Sequence, residues 1–208
     1  MLRTESLLAA VVLLSGCASD LSERLDGQQE VFGEVILVES QTEGSSTLTR
    51  VNASEAQRWV HWRINDDFAE STENLGEVPA DEMWDLAFQR FRVRVNGGAS
   101  GPAGVEVAVL SDVDFDSVTV APSTGYTQDL PDADDDGDVE SVFETVGDGW
   151  FIYDFSVHTL SPRPLVYVVK SHEEQFYKLA YVSYYDDAGS SGHPSFRHEA
   201  IDPPEPTP

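Results

Sequence analysis

The sequence predicts an all-β fold, a single many-stranded antiparallel β domain with at most short helical turns. Three observations predict it. The apolar segments are short and rich in Val, Ile, Phe, Tyr and Trp. They are separated by Gly, Pro, Asp or Ser, and no long stretch carries the 3.6-residue apolar period of an amphipathic helix. No repeat at fixed period is visible, which disfavours a solenoid or a propeller. A chain of 208 residues with 40% hydrophobic content, ten Phe, seven Tyr and four Trp has the material for one core.

Residues 1–16 read as a signal peptide. The run Leu7 to Leu14 is too short to cross a bilayer as a mature helix, and Leu14-Ser15-Gly16-Cys17 closes it with small residues before the only cysteine. That is the pattern of a bacterial lipoprotein signal, so Cys17 is the expected lipidation site and the link to the membrane. Ala18 favours sorting to the outer membrane, which makes the cell envelope the expected location. A lone cysteine also excludes a disulfide framework. Residues 17–30 are expected to form a polar tether, residues 31–201 the β domain, and the Pro-rich residues 202–208 a disordered tail.

Ten strands are expected in order: Phe32 to Val38, Thr47 to Asn52, Arg58 to Ile64, Ala87 to Val95, Val105 to Leu110, Ser117 to Val120, Val139 to Val146, Trp150 to Phe155, Leu165 to Lys170 and Phe176 to Tyr185. Residues 66–83 have room for one short helical turn before Met83, whose side chain is expected to pack. In the fourth strand Arg90, Arg92 and Arg94 alternate with Phe91, Val93 and Val95, so one face packs and the other is polar. Leu86 and Phe88 fall on the arginine side of that alternation. The strand therefore begins buried on both faces or carries a bulge near Gln89. Asn96-Gly97-Gly98 ends it with residues that permit positive φ or a close backbone approach.

The formal charge is −26, from 12 Lys and Arg against 38 Asp and Glu, which excludes nucleic acid and anionic lipid surfaces as partners. Between Arg94 and Arg163 there are fourteen acids and no Lys or Arg, so this stretch is expected to neutralise the arginine row. Within it, residues 132–144 begin like a calcium loop, with Asp132, Asp134, Asp136 and then Gly137, but the twelfth position is Phe143 rather than Glu. A solvated acidic turn and a weak calcium site both fit that pattern. Among the histidines, His61 shares a strand face with Trp59 and is expected to pack, while His193 and His198 read as surface residues. No nucleophile elbow, phosphate loop or zinc-protease motif occurs, so no enzyme is expected.

Trp84-Asp85-Leu86-Ala87-Phe88, Arg90, Arg94-Val95-Asn96-Gly97-Gly98 and Ser100-Gly101 resemble the HmuY family of bacterial haem-binding lipoproteins. Pro122 to Thr127, Gly149-Trp150-Phe151 and Tyr181 to Asp186 match later family segments, and the resemblance spans roughly residues 55 to 190. It implies an all-β, HmuY-like fold, non-catalytic capture of haem or a related porphyrin for iron acquisition, and handover to an outer-membrane receptor. It further implies iron held between two axial His or Met side chains. His158, a few residues later than the family pattern, is the position that carries over, as haem-binding residue and iron ligand. Residues 127–149, where the second ligand belongs, contain neither His nor Met. The competing reading is a non-haem surface module recognising a protein or glycan through Trp59, Trp62, Trp150 and Tyr153, with calcium in the acidic loop.

Overall fold

The computed structural model describes residues 31–32, 35–65, 68–72 and 83–206; the expected signal peptide, Cys17 and the tether lie outside the described residues. The strands in chain order are β1 (Val31–Phe32), β2 (Val35–Ile36), β3 (Val38–Glu43), β4 (Ser46–Val51), β5 (Trp59–Arg63), β6 (Phe68–Thr72), β7 (Leu86–Gln89), β8 (Arg92–Val95), β9 (Glu106–Ser111), β10 (Tyr126–Thr127), β11 (Phe151–Asp154), β12 (Thr159–Pro162), β13 (Leu165–Lys170), β14 (Phe176–Tyr185) and β15 (Ser191–Ala200). A seven-stranded sheet runs in the order β10-β9-β13-β14-β15-β4-β3 and a four-stranded sheet in the order β6-β5-β7-β8. All strand pairings within them are antiparallel.

The two sheets share one core. From the smaller sheet Val60, Trp62, Leu86, Phe88, Val93 and Val95 meet Leu179, Tyr181 and Phe196 of the larger. Phe88 stacks on Phe196 at 5.5 Å and Trp62 meets the same ring edge-on at 5.1 Å, geometries that aromatic quadrupoles favour. The central strand β13 is buried on both faces. Leu165, Tyr167 and Val169 face this core, while Val166 and Val168 face a second cluster with Phe115, Val118 and Ala121. Its unbroken apolar run, LVYVV, is what a strand covered on both sides requires.

The expected strand from Ala87 to Val95 is a hairpin. Phe88 pairs with Val93 and Gln89 with Arg92, leaving Arg90 and Phe91 as a two-residue turn with Arg90 at φ 55°. A chain reversal, rather than a bulge, explains why Leu86 and Phe88 are out of phase with Val93 and Val95. After the turn each residue pairs back onto its own face. Burial on both faces of β7 is as expected, since Leu86, Ala87, Phe88 and Gln89 are all buried.

Val139 to Val146 is not a strand. Residues Val142–Thr145 form a single helical turn, α1. Ser141 caps it, its Oγ accepting from the Phe143 N–H at 3.2 Å, and the side chain of a buried aspartate, Asp129, accepts from the Val142 N–H at 3.0 Å. These caps outweigh the β propensity of Val and Phe. Ser117 to Val120 also departs from expectation, with a 3-10 turn over Phe115–Ser117 and a single bridge from Val120 to Asp202. Among the described strands, β6, β10, β12, β15 and all of β3 beyond Val38 have no counterpart in the sequence reading. In β15, Gly192 and Pro194 fall in the stretch where the β14–β15 register is irregular, and regular pairing with β4 begins only at Ser195. Most of the expected helical turn before Met83 lies outside the described residues, β6 being a strand, and Met83 itself is 44% exposed.

Candidate ligand-binding site

The Trp84 to Gly101 block is a structural knot. Asp85, with no exposed surface, accepts from the Ile64 N–H at 2.9 Å and from the His172 N–H at 2.8 Å. Asn96 donates from Nδ2 to the Trp84 carbonyl at 3.0 Å and accepts from the Ala103 N–H at 3.3 Å. The glycines permit contacts that a side chain would forbid. A Cβ on Gly97 would lie 2.1 Å from the Val105 carbonyl oxygen, and one on Gly101 would lie 2.1 Å from Asn96 Oδ1. The motif that carries the family resemblance therefore serves folding, and no side chain of it is offered as a ligand.

The open edge of β8 is closed by side chains from the acidic half of the chain. Asp129 accepts from the Val95 N–H at 3.0 Å, Ser141 Oγ donates to the Val93 carbonyl, and Trp150 Nε1 donates to the Phe91 carbonyl at 2.8 Å. An edge strand so capped offers no ladder to a second chain. Burial raises the Asp129 pKa above the usual carboxylate range, although Ser100 and the Val142 and Val95 N–H groups pull it back down.

The arginine row divides. Arg92 pairs with Asp138 at 2.6 Å, and Arg94 pairs with the other oxygen of the same carboxylate while lying 4.4 Å over the Trp59 ring. Arg90 turns away and donates to the Ser54 carbonyl at 2.9 Å and to Ser191 Oγ at 3.1 Å. The acid stretch thus neutralises Arg92 and Arg94, through a loop rather than a neighbouring strand. Glu144 is exposed over much of its side chain, yet its pKa is pushed up to about 7, first by desolvation among its neighbours and then by the Asp138 charge.

The Gly149-Trp150-Phe151 segment roots a protruding hairpin. Trp150 is fully buried, stacks on Tyr181 at 4.3 Å, and donates its backbone N–H to the Phe143 carbonyl at 2.9 Å. From that anchor β11 and β12 run out as a separate two-stranded sheet, tied back by the Leu160 N–H donating to Tyr185 Oη at 2.9 Å. Asp154 and Thr159 are the last pair, so residues 155–158 form the tip. Asp154 Oδ1 accepts from the Ser156 N–H and Oγ at 2.8 and 2.6 Å, bonds that hold this carboxyl below its ordinary range.

His158 occupies the end of that tip. It is exposed, has φ 56°, and its Nδ1 lies 2.7 Å from Tyr153 Oη. When Nδ1 carries the proton and donates to the phenol oxygen, Nε2 holds the lone pair and faces outward. Around it Phe155 is 80% exposed, Val157 63% and Ile152 49%. Phe155 meets Tyr153 edge-on at 4.8 Å.

The remaining candidates disperse. Asp132, Asp134 and Asp136 converge, each offering an oxygen within 4.8 Å of the others, but Phe143, in the place of the closing glutamate, is wholly buried in α1. His61 packs as expected, edge-on to Trp84 at 4.9 Å. His198 is not a surface residue. Only 7% exposed, it meets Thr49 Oγ1 at 3.0 Å and the Trp62 ring at 5.2 Å, and burial lowers its pKa to about 4. Trp59, Trp62 and Trp150, which the competing reading takes as an exposed recognition surface, are 2%, 0% and 0% exposed. They are core residues because each lies on a sheet face, or at a hairpin root, covered by the rest of the chain. Sequence reasoning missed Asp85, Asn96 and Asp129 as organising residues; the Asn-Gly-Gly end beside a Trp-Asp start was the available signal.

Comparison with known proteins agrees with this architecture. Several solved structures share the fold. An apo HmuY analogue from Tannerella forsythia has a TM-score of 0.60 at 16% identity, covering 77% of this chain and 97% of that one. A chain described as a lipoprotein from Bacteroides fragilis has a TM-score of 0.56 at 20% identity, covering 80% and 96%. One described as a HmuY-like heme-binding protein from Bacteroides vulgatus has a TM-score of 0.53 at 19% identity, covering 74% and 91%. No curated protein matches the chain. The family model for the HmuY protein matches residues 55–198, from β5 through most of β15 and across the whole Trp84 to Gly101 knot, and the chain belongs to the HmuY family.

Proposed function

We propose that this protein is a lipid-anchored protein of the bacterial outer membrane that holds haem or a related porphyrin, without catalysing a reaction, at the β11–β12 hairpin. His158 is the iron ligand in this reading, and the exposed Phe155 and Val157 offer apolar contact to the macrocycle. Cargo passes to an outer-membrane receptor, and the lipid on Cys17 keeps the protein at the membrane. The observation that carries the reading is an exposed histidine whose Nδ1 lies 2.7 Å from Tyr153 Oη, flanked by the exposed Phe155 and Val157. Its oriented ring on an exposed apolar tip is what ligation needs. Family membership and the neighbour described as heme-binding support the same reading.

With no His or Met in residues 127–149, His158 is the one residue at a family ligand position that would hold the iron. The test is titration of the purified protein with hemin. A shifted Soret band that is lost in His158→Ala is expected; a shift unchanged by that substitution removes His158 as the ligand, and no shift in the wild type removes haem.

A second reading rests on the convergence of Asp132, Asp134 and Asp136. It makes the protein a non-haem surface module in which the loop holds calcium weakly. Calorimetric titration with calcium tests it. Heat that disappears in the Asp134→Asn, Asp136→Asn double variant supports it, and no heat in the wild type ends it.

A further inference from the structure

We propose that His172 and Glu173, in the turn between β13 and β14, form a binding site for a divalent transition cation of the zinc class. Three features of the turn carry this. The first is orientation. His172 Nδ1 lies 2.8 Å from Asp85 Oδ1, and the His172 backbone N–H donates to the same oxygen at 2.8 Å. Asp85 is itself immobile, because its other oxygen accepts from the Ile64 N–H and none of it reaches solvent. A carboxylate holding Nδ1–H in this way fixes the ring and its tautomer, leaving Nε2 as the lone-pair donor.

The second feature is a partner for that lone pair. Glu173 Oε1 lies 4.0 Å from His172 Nε2. Two ligand atoms about one tetrahedral zinc, each at about 2.0–2.2 Å from the metal, are about 3.4 Å apart. The Glu173 side chain is 49% exposed, so a small rotation closes the difference without disturbing packing. The third is charge. Lys170, the nearby cation, is paired with Glu174 at 3.6 Å rather than with Glu173, and the chain's formal charge of −26 draws divalent cations toward its surface.

An imidazole and a carboxylate, backed by a buried orienting carboxylate, select a borderline metal over calcium or magnesium, which take oxygen-only shells. Water completes the coordination. This site is independent of His158, and it gives the Asp of the Trp-Asp pair a task beyond folding.

The experiment is calorimetric titration of the full-length protein in detergent with zinc, and with magnesium as the hard-cation control. One zinc is expected to bind at the turn, and both His172→Asn and Glu173→Gln are expected to weaken it at least tenfold, while His193→Asn leaves it unchanged. The Asn side chain retains an N–H donor for Asp85. Should His172→Asn nevertheless fail to fold, Glu173→Gln, at an exposed position, carries the test alone. Zinc affinity unaltered by Glu173→Gln, or magnesium binding equal to zinc at this turn, overturns the proposal.

Discussion

Gly98 lies against the backbone of Asp129 so closely that a Cβ on the glycine would stand 2.1 Å from the Asp129 carbonyl oxygen. The two residues form a parallel bridge, and the following Ala99 N–H donates to the same carbonyl at 2.9 Å. Gly98 also has φ 64°. Gly98→Ala is therefore expected to destabilise the fold by about 2–4 kcal/mol, through a left-handed backbone and a displaced strand end. Gly104→Ala is the comparison, since Gly104 has φ 76° but open space around it; it should lose only the backbone part, about 1–2 kcal/mol. Urea unfolding of both variants measures the difference.

Asp138 is 16% exposed and receives both Arg92 and Arg94, themselves 42% and 21% exposed. Asp138→Asn leaves two neighbouring guanidinium groups to repel each other. Partial exposure and solvent screening keep the loss to about 1 kcal/mol. The loss should shrink between low and high salt, because screening weakens the pairs in the wild type and the repulsion in the variant alike. Denaturation midpoints at two ionic strengths check this.

His198 links stability to pH. Its folded pKa is lowered from 6.5 to about 4 by burial, so below pH 6.5 the unfolded chain takes up a proton that the folded chain refuses. Stability supplied by the neutral ring is complete above pH 6.5 and is lost as pH falls toward 4, by about 3 kcal/mol in all. Glu144 acts in the opposite sense. With its pKa raised to about 7, the folded state holds the proton more tightly, so its contribution falls as pH rises from about 4.5 toward 7. The clean readout is the difference between the wild type and His198→Gln, which keeps a polar partner for Thr49. That difference in melting temperature should change between pH 6.5 and 4.5, with the variant losing less.

His158→Asn separates ligation from folding. Asn tolerates the left-handed conformation as well as any residue except Gly, and the position is exposed, so stability should move by less than about 0.5 kcal/mol. The hemin-dependent Soret change should be lost all the same. A variant that unfolds would show that the imidazole is there to support the Tyr153 contact instead.

Much of the fold was legible in the sequence because the signals concerned are local. The strands β5, β9, β13 and β14 follow from β-branched and aromatic runs, and β13 shows its two-sided burial in a run without polar alternation. The phase slip at Leu86 and Phe88 was also visible, but a slip of one residue is common to a bulge and a two-residue turn. Only pairing of Gln89 with Arg92 distinguishes them. At α1, Val and Phe propensities pointed to a strand, and a cap from Ser141 together with a bond from Asp129, thirteen residues away, overrode them.

The candidate site divides in the same way. His158 and Cys17 are readable as residue types in a local context, and His158 gains from the structure its exposed place beside Tyr153. The task of Asp85 was not readable, because its partner His172 is 87 residues distant. Nor was the burial of Trp59, Trp62 and Trp150, since an aromatic run looks the same whether its second face meets water or another sheet.

The sequence by itself determined the chain's class, its acidity, its family and the residues eligible to bind a metal or a porphyrin, because composition and short-range pattern specify these. Tertiary structure alone decided which carboxylate meets which cation, which tryptophans are hidden, and which histidine is held ready by a buried acid. Those outcomes depend on distances between segments far apart in the chain, and such distances exist only once the two sheets have closed on each other.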